Sequence, residues 1–293
     1  MSIKQLYANN VPISVLYPAT QRLYRKAGYE QGGSFCSWEI AASSIQMKEQ
    51  PLPIKSVPLD SEIFYDLYTK QGKNINGYLN RNQTIWNRIM KPGDKETFYG
   101  YIIGSTEKPE GYIIISQYSV DNDNILSVVD WATLTNAATK TFWSFLSNHR
   151  SQIDKIRWRG SAIDNLTLIL PEQTAKMRTS QRWMLRIINV EKALSARSYP
   201  SAVETELHLE IKDDLIAENN SKFILSIANG SGNVAKGGRG ELKLDIRGLA
   251  PLYTGLFTPQ QLQLAGKIDA TEKVISTATQ IFAGTSPWMM DFF

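Results

Sequence analysis

The stretch LYPATQRLYRKAGYE, Leu16 to Glu30, decides how the first part of the chain is read. Pro18 suits a first helical turn, where a missing N–H removes no intrahelical bond, and Gly28 suits the left-handed residue through which a helix exits. Together they predict a helix of about ten residues. On it Leu16 and Leu23 face a core, Arg22, Arg25 and Lys26 face water or an anion, and Tyr24 stands one turn before the exit. After Gly28, the residues Phe35, Trp38, Ile40 and Ile45 stand among small polar ones, the pattern of a strand.

The chain around this stretch has 293 residues, enough for two domains and part of a third. Its 42% hydrophobic and 20% charged residues describe a folding, globular sequence. A net charge of +4 helps gather anions but does not mark a nucleic-acid binder. The single cysteine, Cys36, leaves no intrachain disulfide and suits a reducing compartment. No apolar run reaches the roughly 18 residues that cross a bilayer, and MSIKQLYANN is not a secretion signal. The expectation is a cytoplasmic protein with no membrane partner.

Beyond the first strand, the prolines from Pro51 to Pro58 read as a connector. Asp60 or Ser61 caps a helix through Ile63, Phe64, Leu67 and Tyr68, and Leu79, Ile85, Trp86 and Ile89 predict another. Three strands follow, Thr97 to Ile103, Gly111 to Tyr118 and Ile125 to Ala132, with turns at Lys108-Pro109-Glu110-Gly111 and Asp121-Asn122-Asp123-Asn124. Runs this close predict an antiparallel meander. Thr135 or Asn136 caps a helix carrying Ala138, Phe142, Phe145 and Leu146. Strands are expected at Ile156 to Trp158 and Trp183 to Val190. After Tyr199-Pro200, alternation predicts strands over Ala202–Ile211, Phe223–Ile227 and Leu242–Ile246. Two helices follow: one capped by Thr258, opened by Pro259 and closed by Gly266, and one from Thr271 to Phe282.

Several chemistries find little footing. His149 and His208 lack partners at metal-ligand spacing, so no metal is expected. The glycines around Gly230 and Gly240 join strands, and Lys236 is followed by Gly237, so no P-loop forms. Trp131, Phe142, Trp143 and Phe145 fall at core spacing, not in a base-stacking array. The turn Trp131-Ala132-Thr133-Leu134-Thr135-Asn136-Ala137-Ala138 has no glycine to let a pyrophosphate approach the backbone, and this predicts a structural unit.

The pattern AxxxxYxxxGYE, Ala19 to Glu30, followed by a strand, resembles the closing segment of the GNAT acetyltransferase fold. With the apolar end Pro287-Trp288-Met289-Met290-Asp291-Phe292-Phe293, the chain resembles the Eis-type (enhanced intracellular survival) N-acetyltransferases. The resemblance implies an α+β protein in three parts. Residues 1–57 are the C-terminal part of a first GNAT domain, 58–190 a second GNAT-like domain with a mixed, mainly antiparallel sheet and no coenzyme A loop, and 191–293 a sterol-carrier-protein-like α+β domain. It also implies acetyl-CoA as co-substrate and a small-molecule or peptide amine as acceptor, aminoglycoside-like, polyamine or lysine. Tyr24 would be the general acid for the departing thiolate, the C-terminal carboxylate of Phe293 the general base, and the assembly a homo-oligomer, a hexamer by family. A GNAT pyrophosphate loop should precede Tyr24 by a few tens of residues, and none is present, so the expectation is either a chain that starts late in the first domain or a remnant kept for another purpose, with impaired activity. The alternative is a non-catalytic lipid-binding or scaffold protein of the sterol-carrier type.

Overall fold

The structure, a computed structural model, describes residues 2–59, 61–93 and 96–292. Asp60, Phe293 and the side chains of Ser61 and Ile63, all named above, lie outside what is described. The helices are α1 (Ile3–Ala8), α2 (Gln21–Lys26), α3 (Ser61–Gly72), α4 (Gln83–Ile89), α5 (Asn136–Ser147), α6 (Asn165–Leu168), α7 (Val190–Ala196), α8 (Ile246–Thr254), α9 (Pro259–Leu264) and α10 (Glu272–Ile281). The strands are β1 (Ile13–Leu16), β2 (Glu30–Ala41), β3 (Ile54–Val57), β4 (Phe98–Gly104), β5 (Pro109–Val120), β6 (Asp123–Thr133), β7 (Lys155–Gly160), β8 (Lys176–Ile187), β9 (Thr205–Lys212), β10 (Ser221–Ala228), β11 (Ser231–Lys236), β12 (Leu242–Asp245) and β13 (Ile268–Asp269). They form two compact units, one holding residues up to Ser34, Arg182–Pro287 and Phe292, the other Phe35–Gln181 and Trp288–Asp291.

In the unit that begins at Phe35, the strands lie in the order β2-β7-β6-β5-β4-β3. Pairing is antiparallel except between β6 and β7, so the sheet is mixed and mainly antiparallel, as expected. One face packs Ile113, Ile115, Leu126 and Ile156 against Phe142 and Trp143 of α5. The other packs Ile102, Tyr112 and Ile114 against Phe64, Leu67 and Tyr68 of α3 and Trp86 of α4. Asn82 caps α4 through Ile85 N–H, and Thr135 caps α5 through Ala138 N–H. The β5–β6 turn is tight, with Asp121 and Asn122 both at positive φ. The expected turn at Lys108-Pro109-Glu110-Gly111 is displaced: Pro109 to Gly111 already belong to β5, and Gly104, at φ +100°, absorbs a register shift that begins the turn earlier.

A bulge in β6 sets the electrostatics of this unit. Ile115 pairs with Val128 but Ile114 with Asp130, so Val129 is an extra residue. Side chains alternate faces along a strand, and one added residue reverses every side chain beyond it. Asp130, which strict alternation after Leu126 and Val128 would send toward α5, instead joins Tyr112 on the α3 side. There Arg81 Nη1 donates to Asp130 Oδ2 at 2.6 Å, Arg81 Nε donates to Asp291 Oδ1 at 3.0 Å, and Tyr112 donates its hydroxyl to Asp130 at 3.0 Å. The guanidinium carbon lies 3.9 Å from the Tyr68 ring centre and 4.7 Å from that of Trp86. Arg81 is 3% exposed and Asp130 0%. Burial would lower the Arg81 pKa, and the two carboxylates more than reverse it. Burial pushes Asp291 up, against the pull of Arg81.

A second buried acid, Asp164, accepts from Trp158 Nε1 at 3.0 Å and from Leu166 N at 2.9 Å. Burial pushes its pKa up to about 6, although both hydrogen bonds pull it down.

The unit that holds the C-terminal part has a five-stranded sheet, β11-β10-β9-β12-β13, antiparallel except between β9 and β12. Leu207, Leu209 and Ile211 of β9 and Phe223, Leu225 and Ile227 of β10 are buried, together with Leu249 and Leu252 of α8 and Ile275 and Ile281 of α10. Thr258 and Gln261 form a capping box on α9, and Gly266 leaves it at φ +66°. Strands followed by helices is the expected sterol-carrier-like order, with three corrections. Ser231–Lys236 is a strand, because Asn229 and Gly230 at positive φ close a two-residue hairpin. Ile246 opens α8, because Asp245 accepts from Arg247 and Gly248 N–H and starts a helix where a strand was read on. Val190 likewise opens α7, capped by Asn189, and the strand before it starts at Lys176 and ends at Ile187.

Two predictions follow from the buried acids. Arg81→Ala leaves Asp130 and Asp291 without their cation and should lower the unfolding free energy by about 3–5 kcal/mol; a loss below about 1 kcal/mol in urea denaturation would refute this reading of the pair. Asp164 binds its proton more tightly folded than unfolded, where the carboxyl titrates near ~3.9, so its ionisation destabilises the fold above pH ~6 and the cost disappears as pH falls toward ~4. Wild type should gain about 1–3 kcal/mol from this group between pH ~7 and ~4, and Asp164→Asn should lack that increment when the two are titrated side by side.

Candidate functional site around Tyr24

Tyr24 sits on α2, a helix shorter than the sequence predicts. Leu16 is still extended, paired with Met184 of β8 as the last residue of β1, so the chain must leave the strand before it can coil. Pro18 and Ala19 fall in that departure. Thr20 stands at the N-cap position without a side-chain cap bond. Leu23 is 61% exposed, not in a core, because a six-residue helix has only about one and a half turns with which to choose a buried face. The exit is as read: Gly28, at φ +82°, donates to Arg25 O, and Tyr29 donates to Tyr24 O, the paired bonds of a Schellman ending.

That ending fixes the surroundings of Tyr24. Its half-buried ring meets Tyr29 edge-on, 6.0 Å between centres, and Tyr29 Oη lies 2.7 Å from Ser14 Oγ. Arg25 grips the Glu30 carboxylate, Nη2 to Oε1 at 2.7 Å and Nε to Oε2 at 2.9 Å, while Lys267 Nζ stands 3.6 Å away. Burial pushes Glu30 up, but Arg25, the Gln31 N–H and Lys267 together outweigh it and hold the carboxyl below the usual range. A Cβ on Gly28 would lie 2.8 Å from Arg186 Cζ and Nε. Arg186 is fully buried, donates from Nη2 to both Asp213 oxygens at 2.7 Å, and has Nε and Nη1 without hydrogen-bond partners among the described residues. Asn219 Nδ2 completes the cluster by donating to Asp213 Oδ2 at 2.8 Å and to Ile188 O at 3.0 Å. Gly32 and Gly33 then admit the Trp183 ring, which a Cβ at either position would strike at 2.4 or 2.1 Å.

Of the two expected catalytic groups, Tyr24 is described and Phe293 lies outside the described residues. Its neighbour Phe292 packs its ring 4.5 Å from that of Tyr17. Trp288, Met289, Met290 and Asp291 are buried, with Trp288 stacked on Trp131 and donating its N–H to Asn76 O. Sequence reasoning missed Arg186 and Asp213. The signal was a lone arginine in Trp183-Met184-Leu185-Arg186-Ile187-Ile188, where a charge among apolar strand residues implies a buried counter-ion.

The α5 N-terminus offers a direct test for the pyrophosphate of a coenzyme. Thr135 Oγ1 accepts from Ala138 N–H and donates to Glu110 Oε2 at 2.7 Å, and Glu110 O accepts from Leu134 N–H. Thr133 N–H is taken by Gln71. A phosphate there would meet a carboxylate and donors already engaged, so these residues do not fit it. Past Ser127 and Arg157, where β6 and β7 still pair, Trp131 Nε1 donates to Arg159 O at 2.9 Å across the two strands. Among the described residues no His, Cys, Asp and Glu side chains are grouped as a metal site requires, and no helix is long and apolar enough to cross a membrane.

Residues 77–187 match an acetyltransferase (GNAT) domain and residues 190–290 a sterol carrier protein domain. A GCN5-related N-acetyltransferase from Anabaena variabilis is 57% identical and superposes with a TM-score of 0.97, over 99% of this chain and 75% of its own. A GCN5-related N-acetyltransferase from Kribbella flavida (24% identity, TM-score 0.83, 99% of this chain and 73% of that one) shares the fold. So does Eis1 from Mycobacterium abscessus (19%, TM-score 0.81, 99% and 76%). No curated protein matches significantly. With more than half its residues identical to the Anabaena protein over nearly its whole length, the chain belongs to the family of GCN5-related N-acetyltransferases.

Proposed function

We propose that this chain serves acetyl transfer from acetyl-CoA to an amine, in the manner of the Eis-type enzymes, with Tyr24 holding the proton for the leaving group and the Phe293 carboxylate receiving one from the amine. The observation that carries this reading is the placement of Tyr24, half-buried on a helix whose exit is fixed by Gly28 and Arg186. A phenol hydroxyl can donate its proton to a departing thiolate, so what it needs is position. Acetyl-CoA, when bound, supplies the activated acetyl thioester. The contribution assigned to the chain itself is to hold a proton at Tyr24 Oη and to bring its own end close by, a placement supported by Phe292 against Tyr17. The acceptor class, a small-molecule or peptide amine, and a homo-hexameric assembly belong to the same proposal.

The carboxylate at the α5 N-terminus favours a second reading for the GNAT-like unit, a scaffold that holds no coenzyme. A thermal shift with acetyl-CoA separates the two. A rise in melting temperature supports transfer by this chain, and an unchanged one supports the scaffold.

Tyr24→Phe should lower kcat by about 10²–10⁴-fold in an assay of thiol release with a polyamine acceptor, with KM little changed; wild-type turnover in that variant would exclude the role. Gly28→Ala combines a strained φ with a clash against a buried guanidinium and should cost about 1–3 kcal/mol of stability, measured by urea denaturation, while lowering activity through displacement of Tyr24.

A further inference from the structure

The α3-side face of the sheet in the unit that begins at Phe35 carries a trough of about 310 Å³, distinct from the Tyr24 segment. Its floor is one row of opposed residues. Phe98 pairs with Ser116, Ser116 with Ser127, Ser127 with Arg157, and Arg157 with Glu39, on five successive strands. Arg159 opposes Ser37 in the next row, and Tyr118 closes one end. The volume is at the lower end of the range for small-molecule sites.

Two observations point to an anionic occupant. Positive charge is in excess: Arg157, Arg159 and Arg178 line the trough against Glu39 and the rim residue Glu96, a net of +1. Glu39 is shared, 2.7 Å from Arg157 Nε and 3.4 Å from Arg178 Nε, while Arg159 has no carboxylate within ion-pair distance among the described residues and lies over the Phe35 ring at 5.6 Å. Independently, Ser116 lines the trough, and its hydroxyl, which makes no hydrogen bond among the described residues, is reached by solvent. A solvent-reached hydroxyl with no protein partner is free to donate to a ligand oxygen.

Two adjacent serine hydroxyls, on strands about 5 Å apart, beside guanidinium forks suit a group with three terminal acceptor oxygens more than a carboxylate with two. We propose that this trough binds a small phosphate monoester, its phosphate over Ser116 and Ser127 and within reach of Arg157 and Arg159, its organic part against Phe98 and Tyr118. The site does not depend on acetyl transfer, and its test contains no acetyl donor.

Phenyl phosphate titrated into the full chain by calorimetry at low salt should bind saturably at one site per chain and weaken as salt rises. Arg159→Ala, a change at an exposed side chain, should weaken binding about tenfold, and Ser116→Ala about fivefold, with melting temperatures confirming that both variants fold. Benzoate should bind at least about tenfold more weakly than phenyl phosphate. No saturable binding up to about 10 mM, equal binding by either variant, or benzoate binding as tightly as phenyl phosphate would overturn the proposal.

Discussion

A single guanidinium organises the unit that begins at Phe35. Arg81 is withdrawn from water, and a charge in so poor a solvent is tolerable only when its neighbours are all in place. Those neighbours come from far apart in the chain: Asp130 from β6, Asp291 from the last residues, Tyr68 from α3 and Trp86 from α4. Such a cluster adds little net stability over an apolar substitute. It does penalise any arrangement in which one member is missing. The path of Trp288 to Asp291 is therefore set by electrostatics as well as by burial of Trp288 and Met290 in the α5-side core.

Arg186 plays the corresponding part in the other unit, with one difference. Among the described residues its charge is balanced by Asp213 alone, and two of its nitrogens stay unpaired beneath the backbone of Gly28. The absence of a side chain at Gly28 thus does two things at once. It permits the left-handed exit of α2, and it lets the backbone approach a planar cation closely enough to hold Tyr24 and Tyr29 in register.

The elements most visible in the sequence were those with strong local signals. Thr135 and Thr258 announced helices, and the turn at Asp121-Asn122 announced a strand pair. Where a long-range contact overrode local preference, the pattern misled. Pro18 and Leu23 look helical and core-facing until β1 is seen to pair with β8 through Leu16. The β6 bulge is invisible to a two-residue period, yet it alone carries Asp130 to Arg81. Of the site, the Gly28 exit and the tyrosine before it were legible, because a positive φ leaves a mark in composition. Arg186, Asp213 and Asn219 were not, because nothing local says which acid a buried arginine will find.

The sheets end on short strands: β1 and β3 have four residues each, β11 six and β13 two. Lys55 lies in β3 and Lys236 closes β11, so a further strand seeking those margins would have to desolvate an ammonium group for a handful of backbone bonds. A lysine on each of those two margins thus makes it a poor template for a neighbouring copy to zip onto in a crowded solution.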